Sequence, residues 1–243
     1  MRLIVTRPEE DAAQLISKLE RAGHSALAAP MIHIQNLPDV KLPPSPWQAI
    51  LVTSANSIRA LNALPGSTLL KSVPVFAVGP ASAEAARSAG FAKVTTANGN
   101  LDALTALALA KLDPADAPVF YPSGTVISGD LKAKLEDNGF SCTRLPLYEA
   151  EPARKLSPQA AEEVRAGTAA GVLLFSPRTA RIWAKCLADA ELTTAASSLT
   201  HCCLSTAVAE ALAESLEPGA KLKYVTVAPE PNEDSLLKAV GAT

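Results

Sequence analysis

Short apolar runs alternate with helix-period patterns along most of the chain. Leu3 to Thr6 reads as a buried strand. From Glu9 to Ala22 the apolar positions Ala12, Leu15, Ile16 and Leu19 recur at helical spacing, which predicts a helix ended by Gly23. A second strand is expected over Ser25 to Ile34. Leu37 to Trp47 carries Pro38, Pro43, Pro44 and Pro46, which cannot be helix interior and reads as a linker. Ala49 to Val52 is a strand that breaks into Thr53-Ser54-Ala55-Asn56, and a helical pattern follows to Leu64. The turn Pro65-Gly66, a strand over Val73 to Val78 and a helix opened by Gly79-Pro80-Ala81-Ser82 and closed at Gly90 come next. A strand over Lys93 to Thr96 and a loop at Asn98-Gly99-Asn100 then lead into a helix from Leu101 to Leu112.

The chain then repeats its beginning. Val119 to Gly124 parallels Leu3 to Arg7, Lys134 to Gly139 parallels Lys18 to Gly23, and Pro146 stands at the offset of Pro30. Gly171 to Trp183 rewrites Ala49 to Leu61, with Ser176 at the position of Ser54 and Pro177 at the first helical position, which its fixed φ suits. Leu204 to Ala211 matches Val78 to Ala85, and Val225 to Pro229 matches Val94 to Asn98. The pattern is A-B-A′-B′, two copies of an alternating unit of about five strands, which implies parallel sheets covered by helices on both faces. One sheet running through both copies is the alternative. From the residues alone, two contiguous halves with a cleft between them is the simpler arrangement.

The strand–Ser–helix units suggest chemistry. A strand end feeding a helix start gathers free N–H groups and the positive end of a helix dipole, so it suits an anion. Two such units suggest a ligand with several anionic groups. Composition narrows the field: the 243 residues carry a formal net charge of −2 and no basic block, and aromatics make up 4 %, so nucleic acid is not an expected partner. No apolar run is long enough for a membrane span and the opening residues do not form a secretion signal. Cys142, Cys186, Cys202 and Cys203 have neither disulfide-framework nor metal spacing, so a cytoplasmic location is expected. No GxGxxG or Walker loop is present, which disfavours a nucleotide-binding enzyme.

The order of these pieces resembles the uroporphyrinogen-III synthase family. The resemblance lies in Val5-Thr6-Arg7-Pro8, Thr53-Ser54, Ala77-Val78-Gly79-Pro80-Ala81-Ser82-Ala83 with Gly90, Tyr121-Pro122-Ser123-Gly124, Asn138-Gly139-Phe140 leading to Leu147-Tyr148, and Phe175-Ser176. It covers nearly the whole chain; each motif is weak alone and their order carries the likeness. The resemblance implies an α/β fold of two flavodoxin-like domains, each a parallel sheet with helices on both faces, joined by a two-stranded β-ladder linker. It implies a crossover: residues 1–35 plus 150–243 as one discontinuous domain and 38–148 as the other, with the ladder near 31–47 and 145–155. It implies a cyclising lyase of haem biosynthesis. Its substrate is hydroxymethylbilane, a linear tetrapyrrole with eight carboxylates, closed with loss of water and inversion of ring D, without cofactor or metal, by a monomer.

The same resemblance places Tyr148 at the cleft, where a phenol can hydrogen-bond the departing hydroxyl. For the carboxylates the expected groups are the helix-start residues Thr53, Ser54, Asn56, Ser82, Ser176, Ser205 and Thr206, the strand-end residues Ser123 and Gly124, and the cations Arg7 and Arg178. The family tends to have Gly where this chain has Ser205 and Thr where it has Val208, so this second helix start is expected to bind through backbone amides only, or less well. His201-Cys202-Cys203 reads as a buried strand, since neighbouring strand residues face opposite ways. His24 and His33 have no partner at ligand spacing. Trp47 and Trp183 read as packing residues. A polyanion-binding module without turnover is the competing reading, kept open by Val208.

Overall fold

The computed structural model describes residues 1–44 and 46–242. Ser45, inside the proline-rich linker, and Thr243, the last residue of the expected discontinuous domain, lie outside the described residues. The chain opens with β1 (Arg2–Val5) and α1 (Glu9–Arg21), which buries Ala12, Leu15 and Leu19 and carries Glu9, Glu10 and Asp11 in its first turn. Negative charge there suits the free N–H groups. Gly23 follows at φ 81°, a left-handed position that glycine adopts without strain. β2 (Ser25–Ala28) and β3 (Ile32–Asn36) are two strands where one from Ser25 to Ile34 is expected. Ala29 and Met31 still donate to the carbonyls of Val5 and Thr6 (2.8 and 3.0 Å), but Pro30 between them has no N–H and the chain leaves the sheet there.

β4 (Ala49–Val52), wholly buried, runs into α2 (Ala55–Ala63), and a 3₁₀ turn (Ser67–Leu70) not anticipated from the pattern leads to β5 (Val75–Ala77). Next come α3 (Pro80–Ser88), β6 (Val94–Thr96), α4 (Leu101–Lys111), β7 (Val119–Gly124) and α5 (Leu131–Glu136). β8 (Cys142–Pro152) is a single strand of 11 residues. Its Pro146 sits beside a register shift, with Ser123 opposite Pro146 and Gly124 opposite Tyr148, so a bulge accommodates the missing donor. The chain ends with α6 (Pro158–Arg165), β9 (Gly171–Leu174), α7 (Pro177–Asp189), α8 (Thr193–Ala196), β10 (Thr200–Cys203), α9 (Thr206–Glu214), β11 (Tyr224–Val227) and α10 (Glu233–Ala239).

The strands form two sheets, in the orders β11-β10-β9-β1-β2 and β3-β8-β7-β4-β5-β6. Contiguous halves are therefore not what pairing produces: β1 and β2 join β9–β11, and β7 and β8 join β4–β6. Neither is there one continuous sheet among the described residues. The pairs from β2 through β11 and from β8 through β6 are parallel. Counted from β1 in the first sheet and β7 in the second, each parallel part has the order second-first-third-fourth-fifth, the flavodoxin-like arrangement. β3 is the exception. Leu37 N–H donates to Leu147 O (2.8 Å) and Ala153 N–H to Met31 O (3.0 Å), so β3 and β8 run antiparallel.

The chain divides into two compact units, Met1–His33 with Glu151–Thr243, and Ile34–Ala150. In the first, Ile4, Val172, Leu174 and Cys203 pack under α6–α9, while Leu3, Val5, Leu173 and Cys202 pack under α1 and α10. Cys202 and Cys203 thus face opposite sides of the sheet, as strand alternation requires. Trp183, fully buried, is the largest side chain of the first of these layers, and each such large apolar group contributes roughly 2–3 kcal/mol by leaving water. In the second unit Ile50 and Val52 pack under α2 and α3, and Ala49 and Leu51 under α4 and α5. Trp47 stacks on Phe120 at 5.1 Å. No helix among the described residues is long and apolar enough to cross a membrane.

Candidate functional site

In an open parallel sheet, helices that follow neighbouring strands to opposite faces leave a crevice beyond the strands' carboxyl ends. In the first unit this switch lies between β1 and β9, because α1 and α7 cover opposite faces. The residues delivered there are Thr6 and Arg7 from one strand, Phe175 and Ser176 from the other. In the second unit the switch lies between β7 and β4, and delivers Ser123 and Gly124 beside Thr53 and Ser54. The expected site residues at strand ends thus fall at these two switch points.

In the first unit Thr6 is buried and donates to Leu173 O at 2.6 Å. The Arg7 guanidinium lies 4.4 Å over the Phe175 ring and pairs with Glu233, which also binds Lys18. Burial alone would raise the Glu233 carboxyl, but the hydrogen bond from Lys18 and the charges of Arg7 and Lys18 outweigh it and hold it below the usual range. Arg7 is therefore already neutralised by a neighbour, which the sequence reading did not anticipate. Ser176 caps α7, its Oγ accepting from Thr179 N–H (3.1 Å) and lying 2.8 Å from Thr179 Oγ1. Arg178 is exposed on the first turn. Ser205 heads α9 without a side-chain capping bond, Thr206 is exposed, and Val208 is core, 1 % exposed.

In the second unit Ser54 caps α2 by accepting from Asn56 N–H at 3.2 Å, and Asn56 Oδ1 accepts from Arg59 Nη1 at 2.7 Å. Thr53 Oγ1 lies 3.4 Å from the hydroxyl of Tyr121, a buried residue whose phenol is pushed up chiefly by burial. α3 starts at Gly79 with Pro80 in its first turn and no side-chain cap; Ser82 is buried within that helix. Ser123 is 1 % exposed, and its hydroxyl is committed: it donates to Gly124 O (3.0 Å) and accepts from Arg144 Nε (2.9 Å). It holds the strand end together rather than pointing outward. The Tyr148 ring lies on Gly124, where a Cβ would stand 3.0, 3.1 and 3.3 Å from Cε2, Cζ and Oη. Only the absence of a side chain at Gly124 permits that seat. Thr125 N–H closes the contact onto Tyr148 O at 2.9 Å.

The sequence reading missed Tyr121 as a neighbour of Thr53, and missed Arg144 altogether. Arg144 stands opposite Tyr121 in register, and nothing in the mixed sequence of β8, which also carries Thr143, Glu149 and Glu151, singles it out. The His–Cys stretch holds no site: burial pushes the thiols of Cys202 and Cys203 up to about 11 and about 12 and the His201 imidazole down to about 4. No group of three or more His, Cys, Asp or Glu side chains among the described residues is placed to hold a metal ion. What the two switch points offer is the cap hydroxyls of Ser54 and Ser176 and a phenol seated on Gly124; the first turns of α3 and α9, which have no side-chain cap, follow the next strands, β5 and β10. Helix starts of this kind suit carboxylates without a cationic groove.

Comparison with known proteins bears on the fold and the family. Residues 13–238 match the family model described as uroporphyrinogen-III synthase. A uroporphyrinogen-III synthetase from Helicobacter pylori superposes with a TM-score of 0.61 at 18 % identity, over 99 % of this chain and 98 % of that one. A mutant uroporphyrinogen III synthase from Thermus thermophilus superposes with a TM-score of 0.50 at 16 % identity, over 99 % and 97 %. Comparison with curated protein sequences finds no match. The structures share the fold and the family model spans nearly the whole chain, so this chain belongs to the uroporphyrinogen-III synthase family.

Proposed function

We propose that the chain closes hydroxymethylbilane to uroporphyrinogen III, and that its carboxylates are held by backbone N–H groups and hydroxyls at the helix starts of both units. The family's reaction begins when the terminal hydroxyl leaves as water, giving an azafulvene. Attack by the ring D carbon that already carries its bridge gives a spiro intermediate, which fragments and recloses with ring D inverted. The protein's task is to place the last ring over the first and to stabilise developing cationic charge, mostly by positioning and electrostatics. Tyr148 is read as the donor to the departing hydroxyl, since its phenol is fixed against Gly124 and its Oη has no protein partner among the described residues. Ser54, Asn56, Ser82, Ser176, Ser205 and Thr206, with Thr53, Gly124, Arg7 and Arg178, are read as the carboxylate side of the site. Ser123 serves it indirectly, through the Arg144 bond. The two compact units are taken as the two domains, and the enzyme as a monomer of a reducing cytoplasm, consistent with four buried, free thiols.

The observation that carries the reading is a serine-capped helix start at the switch point of each of two sheets of like order, α2 in one and α7 in the other, in a chain of net charge −2. The test is a coupled assay: freshly made hydroxymethylbilane is supplied to the purified protein, the products are oxidised, and isomers I and III are resolved by chromatography. Isomer III in excess is expected. Isomer I alone from folded protein rejects the enzyme reading. Retained tetrapyrrole binding in that case supports the second reading, a binding module.

A further inference from the structure

We propose that Arg144, resting on the substrate reading above, is a pre-oriented anchor for one carboxylate of the tetrapyrrole. Arg144 is half-buried on β8, directly opposite Tyr121. Its guanidinium donates from Nε to Ser123 Oγ (2.9 Å) and from Nη2 to the carbonyls of Gly124 (2.8 Å) and Thr125 (2.9 Å). Every one of these acceptors is neutral. Among the described residues no acid lies within ion-pair distance of it and neither N–H of Nη1 has an acceptor. Other arginines of the chain are paired differently: Arg2 grips Glu163, Arg7 grips Glu233, and Arg165 meets Glu162.

A half-buried cation without a counter-ion gives up hydration and gains no ion pair in return. Three hydrogen bonds nonetheless hold this one rigidly at the carboxyl end of β7, at the switch point with β4, where Thr53 and Tyr121 add a hydroxyl and a phenol. The fold has thus already met the cost of ordering the side chain, and the free Nη1 edge is left for an anion. The Nε and Nη2 donors are occupied, so the anion is gripped by Nη1 alone, as one carboxylate oxygen would be. Lysine could not reproduce this, because a single ammonium cannot hold all three acceptors and still present a second nitrogen.

The test compares wild type, Arg144→Gln and Arg144→Lys for steady-state turnover of hydroxymethylbilane and for binding of uroporphyrin III followed by fluorescence over a range of salt. Arg144→Gln is expected to raise both KM and the uroporphyrin III Kd about tenfold, with the loss in KM rather than kcat, and to flatten the salt dependence. Arg144→Lys is expected to recover part of the affinity and most of the salt dependence. KM and Kd within about twofold of wild type, in protein of unchanged melting temperature, overturn the proposal. If Arg144→Gln does not fold, Arg144→Lys decides alone: an unchanged Kd rejects the anchor and a raised one supports it. Wild type yielding only isomer I rejects the substrate reading itself, a result separate from any difference between variants.

Discussion

His201 lies in β10 with no solvent exposure, its Nδ1–H donating to Leu199 O at 3.2 Å and its Nε2 facing no partner among the described residues. Trp183 flanks it at 6.4 Å between ring centroids. Burial pushes the imidazole down from 6.5 to about 4, against backbone hydrogen bonds that act the other way. A base depressed in this way is neutral in the fold, so as pH falls the unfolded chain takes up its proton first. The stability it leaves intact is fully present above 6.5 and is lost as pH falls toward about 4. Between about pH 7.5 and about pH 5 this linkage amounts to a loss of about 2 kcal/mol. His201→Phe keeps an aromatic ring of similar size against Trp183 and removes the titration. Urea unfolding at the two pH values, followed by circular dichroism, is expected to show wild type losing about 2 kcal/mol more than the variant. The neighbouring thiols of Cys202 and Cys203, at about 11 and about 12, stay neutral throughout and cannot mimic the effect. Equal losses in both proteins would refute the assignment of the pH dependence to His201.

Three further outcomes concern the site. Tyr148→Phe keeps the ring on Gly124 and is expected to lower kcat at least about tenfold and to raise the share of isomer I, with the melting temperature unchanged; full activity would remove Tyr148 from the chemistry. Gly124→Ala places a methyl about 3 Å from that ring, so the ring must shift; a loss of about 1 kcal/mol in stability and a fall in isomer selectivity are expected by calorimetry and the product assay. Glu233→Gln breaks the pairs to Arg7 and Lys18, and about 1 kcal/mol of stability is expected to be lost. Because the Glu233 carboxyl is held below its usual value, that contribution in wild type is present above the carboxylate range and disappears as pH falls through the folded value. If Arg7 serves a carboxylate, its release also lowers KM; an unchanged KM assigns Arg7 to structure alone.

The sequence by itself determined many of the elements and several of their ends. Apolar spacing marked α1, Gly23 its close, Ser54 and Ser176 the starts of α2 and α7, and the internal repeat the presence of two like sheets. These follow from local forces: the period of a helix, a hydroxyl that satisfies a first-turn N–H, a glycine that enters the left-handed region without strain. The length of β8 and the break at Pro30 were not legible, because whether a proline ends a strand depends on whether its missing donor meets a bulge or a neighbour. Nor was it legible that Ser123 is spent on Arg144, that Arg7 is spent on Glu233, or that Val208 is core, since partners distant in sequence fill those places. The largest decision belonged to the tertiary structure. β1 and β2 find equally apolar parallel partners in β4–β6 and in β9–β11, so pattern alone cannot choose between them. The antiparallel β3–β8 pair, through which the chain leaves and re-enters the first unit, accompanies the exchanged pairing. The switch points, with the residues at β1/β9 and β7/β4, follow from that pairing rather than from any local stretch.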